Sequence, residues 1–198
     1  QNTEDLFFAK SDLNNHKIDQ LVSESLKSAD DGELYLEFSE NESFVFDDQR
    51  LKSASFDTSK GFGLRAISGE SSGYAHSSDI SEAALRKASN TVNFITKKNS
   101  GDFNHDFSKT NRKLYMNANP IDTSNFEDKV NTLKCIDEYA RKKNPNVKQV
   151  SAALNGEWQV VRIYRPGGVF VEDIRPLVRL YISVVLEKNG RQETGNRG

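Results

Sequence analysis

The feature that most constrains the fold is a period-two alternation of apolar residues in the last quarter of the chain. Every second position is apolar, at Val178, Leu180, Ile182, Val184 and Leu186. Because successive side chains of a strand point to opposite faces, this spacing predicts a long β-strand with one apolar face. Such a face needs helices over it, so we place the strand centrally in the carboxy-terminal part of this chain. Asn189-Gly190 follows, and this dipeptide favours a two-residue hairpin turn into a returning strand at 191–194.

Shorter alternations of the same kind recur earlier in the chain. They predict strands at 34–38, 44–46, 51–56, 61–67, 74–76, 150–154, 158–163 and 169–171. Turn residues separate these strands, at Asn41, Asp47-Asp48, the Ser/Gly loop 69–73, Asn155-Gly156 and the segment 165–168. Short strands joined by tight turns predict an antiparallel meander.

Helical spacing of apolar residues appears in three longer segments, 15–29, 79–97 and 124–143, and a short helix is expected at 3–10. Asp79 with Glu82, and Ser124 with Glu127, have the spacing of capping boxes at the second and third helices. Pro145 enforces the end of the third helix. The sequence therefore predicts an α+β fold, with a mainly antiparallel sheet covered on one side by about three helices.

A segment without periodicity divides these elements into two groups. Residues 99–120 form an extended connector in this interpretation. Residues 1–98 form an amino-terminal α+β subdomain of helix, five-strand meander and helix. Residues 121–198 form a second α+β subdomain, a helix followed by antiparallel strands. The returning strand after Asn189-Gly190 is short, so we expect the chain to be a fragment.

Composition excludes some classes of protein. The 198 residues include 27 basic and 29 acidic side chains, for a net charge of −2. This balance argues against a nucleic-acid-binding protein, which needs a cationic face. No apolar run approaches the roughly 20 residues that span a bilayer, so we expect no membrane association. The single cysteine, Cys135, permits no internal disulfide, which favours a reducing compartment and a cytoplasmic protein.

The residues that most often carry chemistry do not cluster along the sequence. The three histidines are His16, His76 and His105, and none has a second histidine within about five residues, so no paired metal-ligand motif exists. We interpret His76, three residues before Asp79, as a surface histidine beside a helix cap. We interpret Cys135 as a packed or half-buried thiol rather than a nucleophile. No catalytic residue and no metal ligand is predicted, and the substrate-binding residues stay unknown.

Gly61-Phe62-Gly63 resembles part of a phosphate loop but lacks the further glycine and the Lys-Ser/Thr pair of that motif. The alternative, which we favour, is a glycine-kinked strand that lets another backbone approach closely. The exposure of the nearby Arg65 stays open.

Arg175 and Arg179 flank Pro176 at the start of the long alternating strand. They either bind a carboxylate ligand or pair with the neighbouring Glu172 and Asp173. We favour the structural pairing, because surface ion pairs are common.

Two stretches together resemble one known family. The first is GFGLRAISGE at 61–70, continuing as GYAHSSDIS at 73–81. The second is DIRPLVR at 173–179, continuing as SVVLE at 183–187 and Asn189-Gly190. Both are similar to the amino-terminal domain of the TldD/PmbA metallopeptidase family, once described as modulators of DNA gyrase. The resemblance covers nearly the whole chain and is closer to the TldD branch than to the PmbA (TldE) branch.

The resemblance implies a cytoplasmic zinc metallopeptidase that acts on unfolded or extended peptides, with a TldE/PmbA-type subunit or a second copy as partner. In the family, zinc is held by a His-Glu-x-x-x-His segment of the carboxy-terminal domain. This chain contains no such segment, so the resemblance implies a non-catalytic part that contributes to the proteolytic chamber, dimerisation and peptide guidance. The alternative is a regulatory protein-binding module that acts on DNA gyrase.

Overall fold

A computed structural model describes residues 3–9, 11–96 and 114–198. Its helices are α1 (Thr3–Phe8), α2 (Asn15–Ser25), α3 (Glu82–Thr96) and α4 (Phe126–Lys143), with a 3₁₀ turn at Ile121–Thr123. Its strands are β1 (Asp31–Asp47), β2 (Arg50–Ser68), β3 (Ser71–Ser77), β4 (Val147–Arg165), β5 (Val169–Lys188) and β6 (Arg191–Arg197). No helix among these residues is long and apolar enough to cross a membrane.

The six strands form one sheet in the order β3-β2-β1-β4-β5-β6. β2 pairs antiparallel with β3, and β5 pairs antiparallel with β6. The short connections from β1 to β2 and from β4 to β5 also permit only antiparallel pairing. The predicted α+β fold with a mainly antiparallel sheet is therefore confirmed.

The two-residue hairpin turns have the backbone that their sequences predict. Asp48 and Gln49 connect β1 to β2 with φ values of 47° and 70°, and Asn189 and Gly190 connect β5 to β6 with 53° and 77°. Two successive positive φ values define the turn whose twist matches that of the flanking strands. The predicted turn at Asn189-Gly190 is thus confirmed, and the turn predicted at Asp47-Asp48 lies one residue later, at Asp48-Gln49.

Two other predicted turns are wrong. β1 runs without a break through Asn41, and β4 runs through Asn155-Gly156. A Cβ atom on Gly156 would lie 3.0 Å from Cγ of Glu42. Glycine therefore serves here to let the Glu42 side chain cross the neighbouring strand rather than to reverse the chain. Turn propensity is local, and cross-strand pairing overrode it at both positions.

The helices begin and end near their predicted limits, with different capping residues. Asn14 caps α2, and its side chain accepts a hydrogen bond from the Lys17 N–H at 2.9 Å. α2 ends at Ser25, four residues before the predicted limit. Pro145 lies two residues after the end of α4, as predicted.

Both predicted capping boxes are wrong by one or two positions. The Ser81 hydroxyl, not Asp79, accepts the Ala84 N–H at the start of α3, at 3.2 Å. At α4, Asn125 rather than Ser124 accepts the Asp128 N–H, at 2.8 Å. Ser, Asp and Asn are all good N-caps, so a polar run cannot show which member takes the position.

The chain forms two compact units. The first comprises Gln1–Ser39, Ser59–Tyr115 and Gln159–Ile174, and the second comprises Glu40–Thr58, Met116–Trp158 and Arg175–Gly198. The core of the first unit includes Ile18, Leu21, Val22, Leu34, Leu36, Phe62, Leu64 and Val92. In the second unit, Phe44, Phe46, Leu133 and Ala152 form a cluster on which Ile182 packs, partly buried.

β5 lies between β4 and β6, so its predicted central position among the strands of the carboxy-terminal part is confirmed. The expectation that helices cover its whole apolar face is wrong. Ile182 packs on the buried cluster, whereas Val178 and Leu180 are exposed. The alternation correctly predicts the strand, but burial of an apolar face depends on neighbours that periodicity does not specify.

The predicted connector lies largely outside the described residues, which resume at Leu114. His105 also lies outside them. The subdomain limits at 98 and 121 stay a prediction.

Candidate functional site

A cavity of about 330 Å³ in the first unit gathers residues of the segment 61–81. Its lining includes Tyr35 and Glu37 of β1, Gly61 and Gly63 of β2, and Tyr74 and His76 of β3. In the β2–β3 ladder, Gly63 lies opposite His76 and Arg65 lies opposite Tyr74. Directly opposed residues of antiparallel strands share a face, so these four positions belong to one surface of the sheet.

Two glycines shape this cavity for different reasons. A Cβ atom on Gly61 would lie 2.8 Å from the backbone oxygen of Ser77. A Cβ atom on Gly63 would lie 2.7 Å from the hydroxyl oxygen of Tyr74. Gly61 thus permits close approach of another backbone, which confirms the interpretation favoured from sequence, and Gly63 makes room for an aromatic ring.

The other groups of the cavity that could contact a ligand are aromatic rings and one carboxylate. The rings of Tyr74 and His76 are stacked, with their centroids 5.7 Å apart. The hydroxyl of Tyr35 donates a hydrogen bond of 2.6 Å to Glu37. Stacked rings above a glycine-containing strand provide flat apolar surface with polar groups beside it, which suits the side chains and amides of a peptide.

Arg65 is exposed on the same face of the sheet as Tyr74. Its Nη1 atom lies 3.9 Å from Glu33, a carboxylate that also lies 3.4 Å from Nη2 of Arg165. This answers the question of exposure that the sequence left open. The separation is long for an ion pair, so Arg65 contributes positive charge at the surface rather than a tight structural contact.

The structure does not bring the other candidate residues together. His16 is exposed on α2, and Asp79 accepts a hydrogen bond from the Ser81 hydroxyl at 2.8 Å. His76 is an exposed residue near that cap, as predicted, and its ring contact is with Tyr74. Cys135 is exposed on the surface of α4, so the predicted packed or half-buried thiol is wrong.

Comparison with known proteins adds to this geometry. Residues 32–92 match the model of PmbA/TldA metallopeptidase domain 1, and residues 119–198 match that of the PmbA/TldA metallopeptidase central domain. The chain belongs to the PmbA/TldD metallopeptidase family. The candidate cavity lies within the match to domain 1 of this family.

The curated relatives of this chain include proteins named metalloprotease TldD homologues. The Haemophilus influenzae homologue is 36% identical over 177 residues, which are 88% of this chain and 37% of the relative. The homologue of Buchnera aphidicola subsp. Acyrthosiphon pisum is 30% identical over 198 residues, which are 100% of this chain and 39% of the relative. The chain therefore spans about two fifths of the length of these relatives.

Solved structures of the PmbA/TldD fold superpose on this chain at low sequence identity. A Bacteroides thetaiotaomicron protein described as a modulator of DNA gyrase has a TM-score of 0.68 and 16% identity, over 92% of this chain and 44% of that one. TldE from Thermococcus kodakarensis has a TM-score of 0.60 and 17% identity, over 91% of this chain and 42% of that one. At this identity the likeness concerns the fold alone.

A catalytic metal, which the family name implies, has no matching donor set in the described part of the chain. Among residues 3–9, 11–96 and 114–198, no three His, Cys, Asp or Glu side chains are placed to hold a metal ion. These residues therefore do not fit a catalytic metal, and we derive no chemical step from one.

The first unit contains a buried arginine that the sequence patterns did not predict. The guanidinium of Arg162 on β4 lies over the rings of Phe7 and Phe170, with its Cζ atom 5.7 and 5.2 Å from their centroids. Its Nε donates a 2.8 Å hydrogen bond to Glu172, one of the carboxylates that we had expected to pair with Arg175 or Arg179. Strand parity could have identified it, because position 162 shares a face with the buried Val160.

A second missed feature is the buried ion pair of Lys129 and Glu42 in the second unit. The Lys129 Nζ donates to Glu42 at 2.8 Å and to the backbone oxygen of Ile121 at 2.6 Å. Lys129 stands four positions before the buried Leu133 on α4, so helical spacing placed it on the apolar face. A lysine on the apolar face of a helix indicates a nearby acidic partner, because a buried charge must be paired.

Proposed function

We propose that this chain is the peptide-holding, non-catalytic part of a TldD-type zinc metallopeptidase, in which the carboxy-terminal domain supplies the metal. Two matches support the proposal, namely the family models over 32–92 and 119–198 and the relatives named as metalloproteases. On this proposal the purified chain cleaves no unfolded peptide, with or without zinc. Chelator-sensitive cleavage that co-purifies with it would contradict this.

The observation that carries peptide binding is the aromatic cavity beside β3. Tyr74 and His76 present stacked rings to solvent, and Gly61 and Gly63 keep the adjacent strand free of larger side chains. Glu37 adds a carboxylate that can accept a hydrogen bond from a peptide amide. An extended peptide offers side chains and amides at short intervals, which this combination can hold without selecting one sequence.

The proposed partner is a TldE/PmbA-type subunit, with a second copy of the chain as the other possibility, in a cytoplasmic complex that encloses the peptide. TldE from Thermococcus kodakarensis has the same fold, which is consistent with pairing between related subunits. The net charge of −2 gives no support to nucleic-acid binding.

The gyrase-modulator alternative has weaker support. It is suggested by the descriptions of two solved structures, which are 16% and 12% identical to this chain. Likeness at that level concerns the fold, and a fold does not determine function. The relatives at 30% identity or more are metalloprotease homologues.

The test measures binding of a fluorescently labelled, chemically unfolded polypeptide to the chain by anisotropy. Tyr74→Ala should weaken binding about tenfold, since stacking contacts of this kind contribute about 1 kcal/mol or more. Tyr139→Ala is a matched control, because Tyr139 on α4 is 64% exposed and Tyr74 is 61% exposed. Equal affinities of the two variants, or no binding by the unaltered chain, would overturn the proposed peptide site.

A further inference from the structure

The buried lysine and the buried arginine of the described chain are held in the same way. The Arg162 guanidinium lies over two phenylalanine rings, and its Nε donates a 2.8 Å hydrogen bond to Glu172. The Lys129 Nζ atom lies 5.9 Å from the centroid of the Phe44 ring and 2.8 Å from Glu42. A ring face attracts a cation, and a carboxylate supplies the opposite charge. An aromatic ring beside a carboxylate is therefore the environment in which this chain holds a basic side chain.

The cavity beside β3 contains the same combination of groups. The stacked rings of Tyr74 and His76 line it together with the carboxylate of Glu37. Tyr74 is exposed and Glu37 is half-buried, so a ligand can reach both. Glu37 accepts a hydrogen bond from the Tyr35 hydroxyl, a neutral donor. Within the described ranges of the chain, no lysine or arginine pairs with Glu37 or lies over the Tyr74 ring.

Glu37 differs in this respect from Glu33, which has the same parity on β1 and so lies on the same face of the sheet. Glu33 lies 3.9 Å from Nη1 of Arg65 and 3.4 Å from Nη2 of Arg165. Lys60 also lines the cavity, but it has the parity of the buried residues of β2 and forms no ion pair with Glu37 among the described residues. The negative charge of the cavity is thus left for a cation from outside the chain.

The dimensions of the cavity limit what it can take. Its volume is about 330 Å³, at the small end of ligand pockets, which suits one long side chain. Gly61 and Gly63 add no side chains to its wall. The methylene stem of a lysine or arginine can pack along the rings while its charged end reaches the carboxylate. An acidic side chain would meet Glu37 as a like charge.

We propose that this cavity binds a basic side chain, lysine or arginine, of an extended peptide. The cation lies over the ring of Tyr74 and donates to the carboxylate of Glu37, which also keeps its hydrogen bond from Tyr35. This inference rests on the proposed peptide-holding function. It names the class of residue that the cavity selects at one position of the peptide.

The probe is a fluorescently labelled nine-residue peptide of serine and valine with one central arginine, and anisotropy measures its binding. The comparison peptide has citrulline at the centre, which keeps the planar shape of arginine but has no charge. The arginine peptide should bind about fivefold more tightly, since an exposed cation–π contact and an exposed ion pair are each weak. Equal affinities would overturn the proposal. Tighter binding of a peptide with a central glutamate would overturn it in favour of an acidic side chain.

Three variants test which groups cause the preference for arginine over citrulline. Glu37→Gln keeps the shape of the side chain and should reduce the preference to within about twofold. Glu33→Gln removes an equal charge from the same strand and face, outside the cavity, and should leave the preference in place. Tyr74→Leu should lower it, because leucine has no ring face. Circular dichroism spectra check that the variants fold. An undiminished preference in Glu37→Gln, or an equal loss in Glu33→Gln, would overturn the assignment.

The two proposals fail in distinguishable ways. If the unfolded polypeptide binds in a manner that depends on Tyr74 but the arginine and citrulline peptides bind equally, only the preference for a basic side chain fails. If neither the unfolded polypeptide nor the arginine peptide binds to the unaltered chain, both proposals fail.

Discussion

The Nε atom of Arg162 donates a 2.8 Å hydrogen bond to Oε2 of Glu172, and Nη2 of the same guanidinium lies 2.8 Å from that oxygen. Nη2 also donates to the hydroxyl of Thr3, at 2.8 Å. One buried side chain thereby connects α1 to β4 and β5 within the first unit. The arginine is 4% exposed, so its charge depends on these partners.

We expect Arg162→Ala to destabilise the protein by about 2–4 kcal/mol, through loss of the hydrogen bonds and of packing against the two rings. Glu172→Gln keeps the shape and one acceptor, so about 1–2 kcal/mol is expected. Urea denaturation measures both values. A larger loss for Glu172→Gln than for Arg162→Ala would show that the carboxylate, not the arginine, organises the contact.

Because Lys129 and Glu42 form an ion pair, we expect the stability effects of substitutions at these two positions to be strongly coupled. Both side chains are buried, so Lys129→Met leaves a carboxylate without its cation and should cost about 3–5 kcal/mol. Lys129→Met combined with Glu42→Leu removes both charges and should be more stable than Lys129→Met alone. A double-mutant cycle from chemical denaturation tests this, and strictly additive losses would refute it.

Gly61 provides a test of close backbone approach. In Gly61→Ala the added carbon would lie 2.8 Å from the Ser77 backbone oxygen, so β2 and β3 must separate, at a cost of about 1–3 kcal/mol. Gly195→Ala is the control, because nothing lies within 4 Å of a Cβ atom there. The difference between the two thermal midpoints measures the effect. Similar midpoints would mean that the β2–β3 ladder relaxes freely at this point.

The two faces of β5 can be compared at adjacent residues. Ile182 packs on the buried cluster of the second unit, so Ile182→Asp should place a charge against apolar side chains and destabilise by about 2–3 kcal/mol or more. Ser183→Asp changes the opposite face and should have a much milder effect. Thermal unfolding of the two variants measures the contrast. Comparable midpoints would show that the faces are wrongly assigned.

Asp47 predicts a dependence of stability on acid pH. A hydrogen bond from the Ser151 hydroxyl and a second from Gln149 lower the pKa of Asp47 from its ordinary 3.8. The folded state therefore binds a proton at Asp47 less readily than the unfolded state does. The ionised carboxylate thus stabilises the folded state above pH 3.8, and this contribution is lost as the pH falls through the lower pKa of the folded state. Ser151→Ala should reduce the part of the acid destabilisation that comes from Asp47. Parallel stability–pH curves for the two proteins between pH 2 and 5 would contradict this assignment.

Sequence patterns predicted helices and turns well where a single local preference, apolar periodicity or backbone conformation, decided the structure. The helical stripes at 15–29 and 124–143 correspond to α2 and α4. Asn189-Gly190 predicted its hairpin because few residues accept two positive φ values in succession. The capping boxes failed because several neighbouring polar residues can accept the same N–H group, and their energies differ little.

The candidate cavity was only partly predictable. The glycines at 61 and 63 indicated close approach in a strand, but the approaching atoms belong to Ser77 and Tyr74, more than ten residues away. Local sequence does not state which distant group approaches. Cys135 illustrates the same limit, since its position on an amphipathic helix did not show that its side chain is exposed.

The sequence by itself determined the α+β class, the hairpin turns, most helix limits and the family, because each depends on local backbone preference or on a long matching segment. Only the tertiary structure decided that Asn41 and Asn155-Gly156 lie inside long strands and that Lys129 meets Glu42. These outcomes depend on which strands and helices become neighbours. Such contacts join residues far apart in the chain, and their free energy overrides weak local preferences.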